Sequence, residues 1–386
     1  MQQKHWFGLC GVFAVILGCS PSAQSPSPEV VLEQSQAAVQ DIAREVDAMA
    51  KETKRLGDML KAHETLRSTG AKLESRTKGT QITNVDLRGI EITDALAEQV
   101  VLLGELEKLT INESAMSIAG WQHLGKIASL QQLDLRDCPI GNEQFQAIVS
   151  GMPNLKAIRL SGTSGRTTVD DAGLAALAQT SALKVLALDG LWITDAGLTH
   201  VLACKQLAEL YAAGTTLNDD AGALLAQLPE LKKLRLAKTG FGTRGLEALL
   251  PLQLEDLDIS EASGIDDASM AVVGKMQTLK RLNLWRDTVG DAGVAHLAGL
   301  TNLQWLNLDN THLADAGLVH MADMQQLTFL HLGSTGVTDA GMPDLVGLKS
   351  LKDLKVTRTA VTEAGVAVVQ QALPGVDVQL KYIEGE

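Results

Sequence analysis

From residue 82 onward the apolar positions follow two alternating rhythms. One is strict alternation, as in Leu282-Asn283-Leu284, Leu306-Asn307-Leu308, Leu330-His331-Leu332 and Leu354-Lys355-Val356. A period of two predicts a strand with one buried face. The other spaces apolar residues by three, as in Val294-Leu297-Leu300 and Leu318-Met321-Met324. That spacing lines one face of a short helix. Between the halves stands Thr194-Asp195, Thr338-Asp339 or Thr362-Glu363. The Thr predicts a helix cap, and the acid complements the positive end of the helix.

The Asp-Ala-Gly position that opens each helix recurs at residues 94, 118, 142, 171, 195, 220, 243, 267, 291, 315, 339 and 363. Eight of the eleven steps are 24 residues, and the others are 29, 25 and 23. One strand and one helix per unit cannot bury their own apolar faces. Stacking the units can, which predicts a curved solenoid with a parallel sheet inside and short helices outside. Because nearly every copy carries the Asp, its role is read as structural. The following Gly is expected to permit tight packing on the neighbouring coil. The pattern LxxLxLxxTxITDAGLxxLxxL resembles leucine-rich-repeat proteins over about residues 82–380. It is most similar to the cysteine-containing subtype found beside F-boxes, in a shortened bacterial form, with Cys138 in the column of Thr311, Thr335 and Thr359. The resemblance implies an α/β leucine-rich-repeat solenoid of about twelve units over residues 82–386. It also implies a binding role rather than a catalytic one.

Ahead of the repeats, Trp6–Gly18 is an apolar run of 13 residues after the weakly basic Lys4 and His5. That is too short to span a bilayer and matches a signal-peptide core. The run ends Ile16-Leu17-Gly18-Cys19, which resembles a bacterial lipobox. The resemblance implies a signal peptide over residues 1–18 and a lipid, palmitate included, on Cys19. It places the protein in the bacterial cell envelope, with Ser20 favouring the outer membrane or its periplasmic face. Residues 19–28 are a Pro/Ser tether without apolar residues to fold around. Over 29–76 the positions Leu32, Ser35, Val39, Ile42, Val46, Met49, Thr53, Leu56, Leu60 and His63 fall at alternating 3-4 spacing. This predicts a helical or coiled-coil segment, serving as a spacer or for self-association. The first repeat is less regular and is expected to shield the end of the core. Val376–Leu380 reads as a closing strand.

A net charge of −13 without a basic stripe disfavours nucleic acid. Four cysteines are too few for a disulfide scaffold, and Cys138 and Cys204 are expected to be buried, unpaired thiols. His123, His200, His296 and His320 each fall five residues after their anchors, a repeat-consensus position on a helix flank rather than a metal set. No nucleophile–base arrangement, phosphate loop or dinucleotide fingerprint occurs, so no catalytic residue, metal or cofactor is assigned. Binding is expected on the inner sheet. Aromatic residues are only 3 % of the chain, yet Trp285, Trp305 and Phe329 fall in consecutive units. With Arg281, Asn283, Asn307 and His331 they form the candidate concave patch for a protein partner. The polar excess Ser161–Thr168 forms a loop on one rim and is a further candidate. The alternative is a structural envelope component that self-associates through residues 29–76.

Overall fold

A computed structural model of the chain describes residues 27–76 and 81–381. The signal-peptide and Cys19 readings lie outside the described residues. The chain divides into two compact units, with the boundary after Asp58.

In the first unit the described structure is one helix, which runs on into the second: α1, Pro28–Ser68. Pro28 is favourable in the first helical turn, where its missing N–H is not needed. The exposed pairs Arg44–Asp41, Lys51–Asp47 and Arg55–Glu52 fall at helical spacing and each adds a few tenths of a kcal/mol. No described helix is long and apolar enough to cross a membrane. Helix α1 stops eight residues short of the expected 76. Gly70 takes the left-handed conformation, φ 89°. The Ala71 N–H donates to the Leu66 carbonyl and that of Gly70 to Arg67, the Schellman arrangement that closes a helix.

The second unit, from Met59, holds a fourteen-stranded sheet whose strands lie side by side in chain order. They are β1 (Lys72–Glu74), β2 (Asn84–Asp86), β3 (Lys108–Thr110), β4 (Gln132–Asp134), β5 (Ala157–Ser161), β6 (Val185–Asp189) and β7 (Glu209–Tyr211). Then come β8 (Lys233–Arg235), β9 (Asp256–Asp258), β10 (Arg281–Asn283), β11 (Trp305–Asn307), β12 (Phe329–His331), β13 (Asp353–Lys355) and β14 (Asp377–Gln379). Neighbours from β2 onward pair in parallel, Leu opposite Leu, as in Leu282↔Leu306 and Leu306↔Leu330. In the three-residue strands from β2 to β13 the central apolar residue points into the core, and in the longer β5 and β6 Ile158, Leu160, Leu186 and Leu188 do so. Short helices such as Asp195–Val201 and Asp267–Val273 cover the other side. Strands repeat every 4.8 Å or so, whereas packed helices need about 8–10 Å, so the sheet lines the concave side. Trp121 stands where other units have Leu198 and Leu318, a position the repeat pattern assigns to the core on the helix side, and it is fully buried there.

The sheet starts one strand before the first repeat. β1 runs antiparallel to β2, with Leu73 opposite Val85. Ala62, Leu66 and Ala71 join the buried core there. Shielding of this end is therefore shared with residues before the repeats. At the other end β14 pairs in parallel with β13, where a closing strand was expected.

One interaction joins successive units. The anchor Asp reaches forward to the cap of the next helix. Asp315 Oδ1 accepts the Thr338 N–H at 2.8 Å, and Oδ2 accepts the Thr338 hydroxyl at 2.7 Å. Thr338 Oγ1 in turn accepts the Ala340 N–H. The same set links Asp171 to Thr194 and Asp339 to Thr362. The carboxylate occupies the space a side chain would need at the next Gly. A Cβ on Gly317 would lie 2.6 Å from Asp291 Oδ1, and one on Gly341 2.5 Å from Asp315 Oδ1. This contact also corrects the repeat spacing. Asp219, not Asp220, accepts the Gly242 and Gly245 N–H groups, so both steps around it are 24 residues. Asp195 Oδ1, the preceding rung, is buried without a partner.

Replacing Gly341 with Ala is expected to lower unfolding stability by about 1–3 kcal/mol through overpacking. Asp315→Ala should cost a similar amount by stranding the Thr338 donors. Combined, the two should cost clearly less than their sum, because removing the carboxylate opens the space the methyl needs. A urea double-mutant cycle reads this coupling, and strict additivity would refute the shared-space account.

Candidate functional site

The outward residues of the three-residue strands form columns across the concave face. Arg281, Trp305, Phe329 and Asp353 are laterally paired in one column, and Asn283, Asn307, His331 and Lys355 in another. Trp305 and Phe329 stack with centroids 4.9 Å apart and planes 5° from parallel. The Arg281 guanidinium lies 3.4 Å from the Trp305 centroid. Both faces of Trp305 are thus covered by its own neighbours, a stack worth roughly 1 kcal/mol beyond burial. His331 meets Phe329 edge-on at 6.3 Å.

Trp285 stands apart from this stack. It is four strand positions beyond Arg281, roughly 13 Å along the chain direction, and Arg286 is its cation partner at 5.4 Å. Six of the seven predicted patch residues therefore form two groups rather than one, and the seventh, Asn283, lines the larger groove over the middle of the sheet. Arg281, Trp305 and Phe329 make the stack. Trp285, Asn307 and His331 line a groove of about 410 Å³.

Gly333 lies among the residues that line that groove. A Cβ there would lie 2.7 Å from Asp309 Oδ1, 2.8 Å from His331 Nε2 and 2.9 Å from Thr357 Oγ1. A side chain at 333 would therefore clash, and its absence lets these three polar groups pack close to the backbone. Burial lowers the His331 pKa, with Asp309 acting against it, so the imidazole is neutral at pH 7 and retains both a donor and an acceptor nitrogen.

A larger groove of about 820 Å³ lies over the middle of the sheet. Its floor includes the small residues Ala187, Gly190, Ala213 and Gly214, and Arg159 and Tyr211 stand beside it. Most cations here are neutralised. Arg136 pairs with Asp134 at 2.7 Å, Arg235 with Asp189 and Asp258 at 3.3 and 3.2 Å, and Lys238 with Glu261 at 3.2 Å. Arg159 is half-buried, and its side chain has no ion pair or hydrogen bond among the described residues. The Tyr211 hydroxyl donates to Glu209 at 2.8 Å. Burial and that bond push its pKa up to about 12. The turn after each of several strands is left-handed at residues other than glycine, including Lys238, Glu261 and Arg286 at φ 54–60°. It carries these three side chains along one rim, where Glu261 also meets Arg286 at 3.2 Å.

Parallel coils, an inner sheet with outer helices, and an open concave face define a leucine-rich-repeat solenoid preceded by a helix. A leucine-rich-repeat family model matches residues 126–143. Among solved structures, an internalin, InlF, from Listeria monocytogenes is similar at 17 % identity and TM-score 0.55, covering 79 % of this chain and 87 % of that one. The yeast Rad7–Elc1 complex contains a chain similar at 19 % identity and TM-score 0.53, covering 92 % of this chain and 98 % of that one. No curated protein matches the sequence. At these identities the likeness is one of fold.

The other candidates are also located. The 161–168 loop is tied down: Arg166 makes a bidentate pair with Glu113, at 2.7 and 2.5 Å, and Thr167 donates to the Cys138 carbonyl. Cys138 and Cys204 are free, buried thiols, and burial pushes Cys138 up to about 12. His200 and His296 are exposed on helix flanks, His123 and His320 half-exposed. Two features escaped the sequence reading. Arg159 and Ala187 stood in the outward column, but the pocket they share needs the small residues of the adjoining turns. Trp192 is 78 % exposed at a position where neighbouring units have Thr168 and Thr216.

Asp287 sits below this face at the position where other units have Thr311 and Thr335, whose hydroxyls donate to the carbonyl three residues back. Asp287 Oδ1 accepts the Ala262 N–H, and Oδ2 is buried without a partner. Burial, with Asp258 and Glu261 nearby, pushes its pKa up to about 8. An unfolded Asp ionises near pH 3.9 or so. Between those values the folded chain holds a proton that the unfolded chain releases, so stability falls as pH rises towards 8. Asp287→Thr should therefore stabilise little at pH 4 and most at pH 8, by at most on the order of 5 kcal/mol. Urea midpoints across that range would check it, and a pH-independent gain would refute the buried-acid account.

Proposed function

We propose that this is a non-enzymatic binding protein that holds a protein partner on the concave face of its solenoid. The observation that carries the reading is the groove of about 410 Å³ on the concave face, where Trp285 stands beside Asn307, Asp309, His331 and Thr357. A hydroxyl or amide from a partner would meet these polar groups, with the Trp285 ring as an adjoining apolar wall. Arg159 offers a second contact, for a carboxylate, in the larger groove. The yeast neighbour is recorded in a complex, and the solenoid class uses its inner face for such contacts. We further propose that the protein is held in a bacterial envelope by lipid on Cys19. That reading rests on the apolar run Trp6–Gly18 and the Cys that ends it.

Affinity capture from an envelope extract separates this reading from a spacer role. The parent chain should retain a partner that Trp285→Ala/His331→Ala loses by at least about tenfold, the scale of removing one anchor. Trp305→Ala should change recovery far less, since its faces are already covered. Equal recovery by parent and double variant would overturn the site. Loss with Trp305→Ala alone would move it to the stack.

A further inference from the structure

We propose that α1 is one strand of a parallel, two-stranded coiled coil formed with a second copy of this chain. The proposal does not depend on the concave-face reading. Leu32, Val39, Ile42, Val46, Met49 and Leu56 recur at 3-4 spacing along one side of α1, and each is 41–65 % exposed. Helices gain little stability alone and persist by burying an apolar face. Gly57 makes a solitary helix harder still to sustain, by about 1 kcal/mol. A sustained 3.5-residue spacing is the pattern that keeps a seam facing one partner helix.

The two polar members of the seam between Leu32 and Leu56 suit a dry interface. Ser35 Oγ donates to the Leu32 carbonyl and Thr53 Oγ1 to the Met49 carbonyl, both at 2.8 Å. Their hydroxyls therefore need no water as acceptor. With Val39, Val46 and Thr53 at one core position and Ile42, Met49 and Leu56 at the other, β-branched residues dominate the first set. That distribution favours two parallel strands.

Charge selects the same orientation. Glu45 and Glu52 flank one side of the seam, and Ala43, Ala50 and Gly57 flank the other. Parallel pairing sets Glu45 against Ala50 of the second copy and Glu52 against its Gly57, with no charge opposed. Antiparallel pairing turns the two Glu-bearing flanks towards each other, which is repulsive. A lipid surface is the poorer occupant. Residues 28–58 carry seven acids against four basic residues, whereas interfacial helices are rich in Lys and Arg. The seam is also distinct from the docked side of the helix end. Ala62 and Leu66 are the buried residues of α1, and neither belongs to the 3-4 series.

Sedimentation equilibrium of the full-length chain, in density-matched detergent that masks Trp6–Gly18, should give twice the mass of one chain. Ile42→Asp/Met49→Asp should reduce it to one chain while leaving the thermal unfolding of the solenoid unchanged. Ser35→Cys should form a covalent dimer on mild oxidation, above the background of the oxidised parent, because in-register parallel pairing brings the two copies of residue 35 together. A single-chain mass for the parent, or a dimer that survives both Asp substitutions, overturns the proposal. A dimer without the residue-35 cross-link overturns the parallel orientation. A single-chain mass together with seam-dependent binding to phosphatidylethanolamine/phosphatidylglycerol vesicles would assign the seam to lipid instead.

Discussion

The contact on which the solenoid depends is the carboxylate that each anchor Asp lends to the next helix cap. It satisfies backbone N–H groups that a short helix leaves without partners. It also occupies the space above the next Gly, so the distance between coils is set by an oxygen and not by a methyl. Fixed spacing between coils keeps the strands in register, Leu opposite Leu. Register in turn aligns the outward side chains into columns. The stacked Trp305 and Phe329, and the paired Lys238, Glu261 and Arg286, are consequences of that alignment. Where a rung is missing, as at Asp195, an unpaired oxygen remains in the wall.

The concave face is largely satisfied from within. Arg136, Arg235 and Lys238 each have carboxylate partners, and Arg281 covers Trp305. Exposed pairs of this kind contribute little stability. Their larger effect is to leave few groups free for a ligand, so the exceptions stand out. Arg159, beside the small Ala187, and the groove at Trp285 are such exceptions.

The two ends of the sheet are handled differently. At the first, an antiparallel strand and the end of α1 cover the core. At the last, β14 adds one more parallel strand. An uncovered strand edge invites pairing with another chain, and the first edge is closed by β1.

The sequence alone determined the repeat, the alternation of strand and helix and the solenoid class, because burial repeats with the period of the coil; it did not reveal the antiparallel strand β1 ahead of the repeats. It located Trp121 and the free thiols in the core for the same reason. It misplaced one anchor, at Asp220, since two adjacent acids are equivalent in a string and only the N–H groups of the next coil distinguish them. It extended α1 too far because the 3-4 rhythm does not register a left-handed Gly70. It grouped Trp285 with Trp305 and Phe329 on the short spacing between strands, without weighing the separation of their columns along the strand. Which rings stack, which groups pair and where the grooves lie were decided by the tertiary structure. Those properties depend on lateral neighbours some 24 residues away and on the volume of each, which no local pattern encodes.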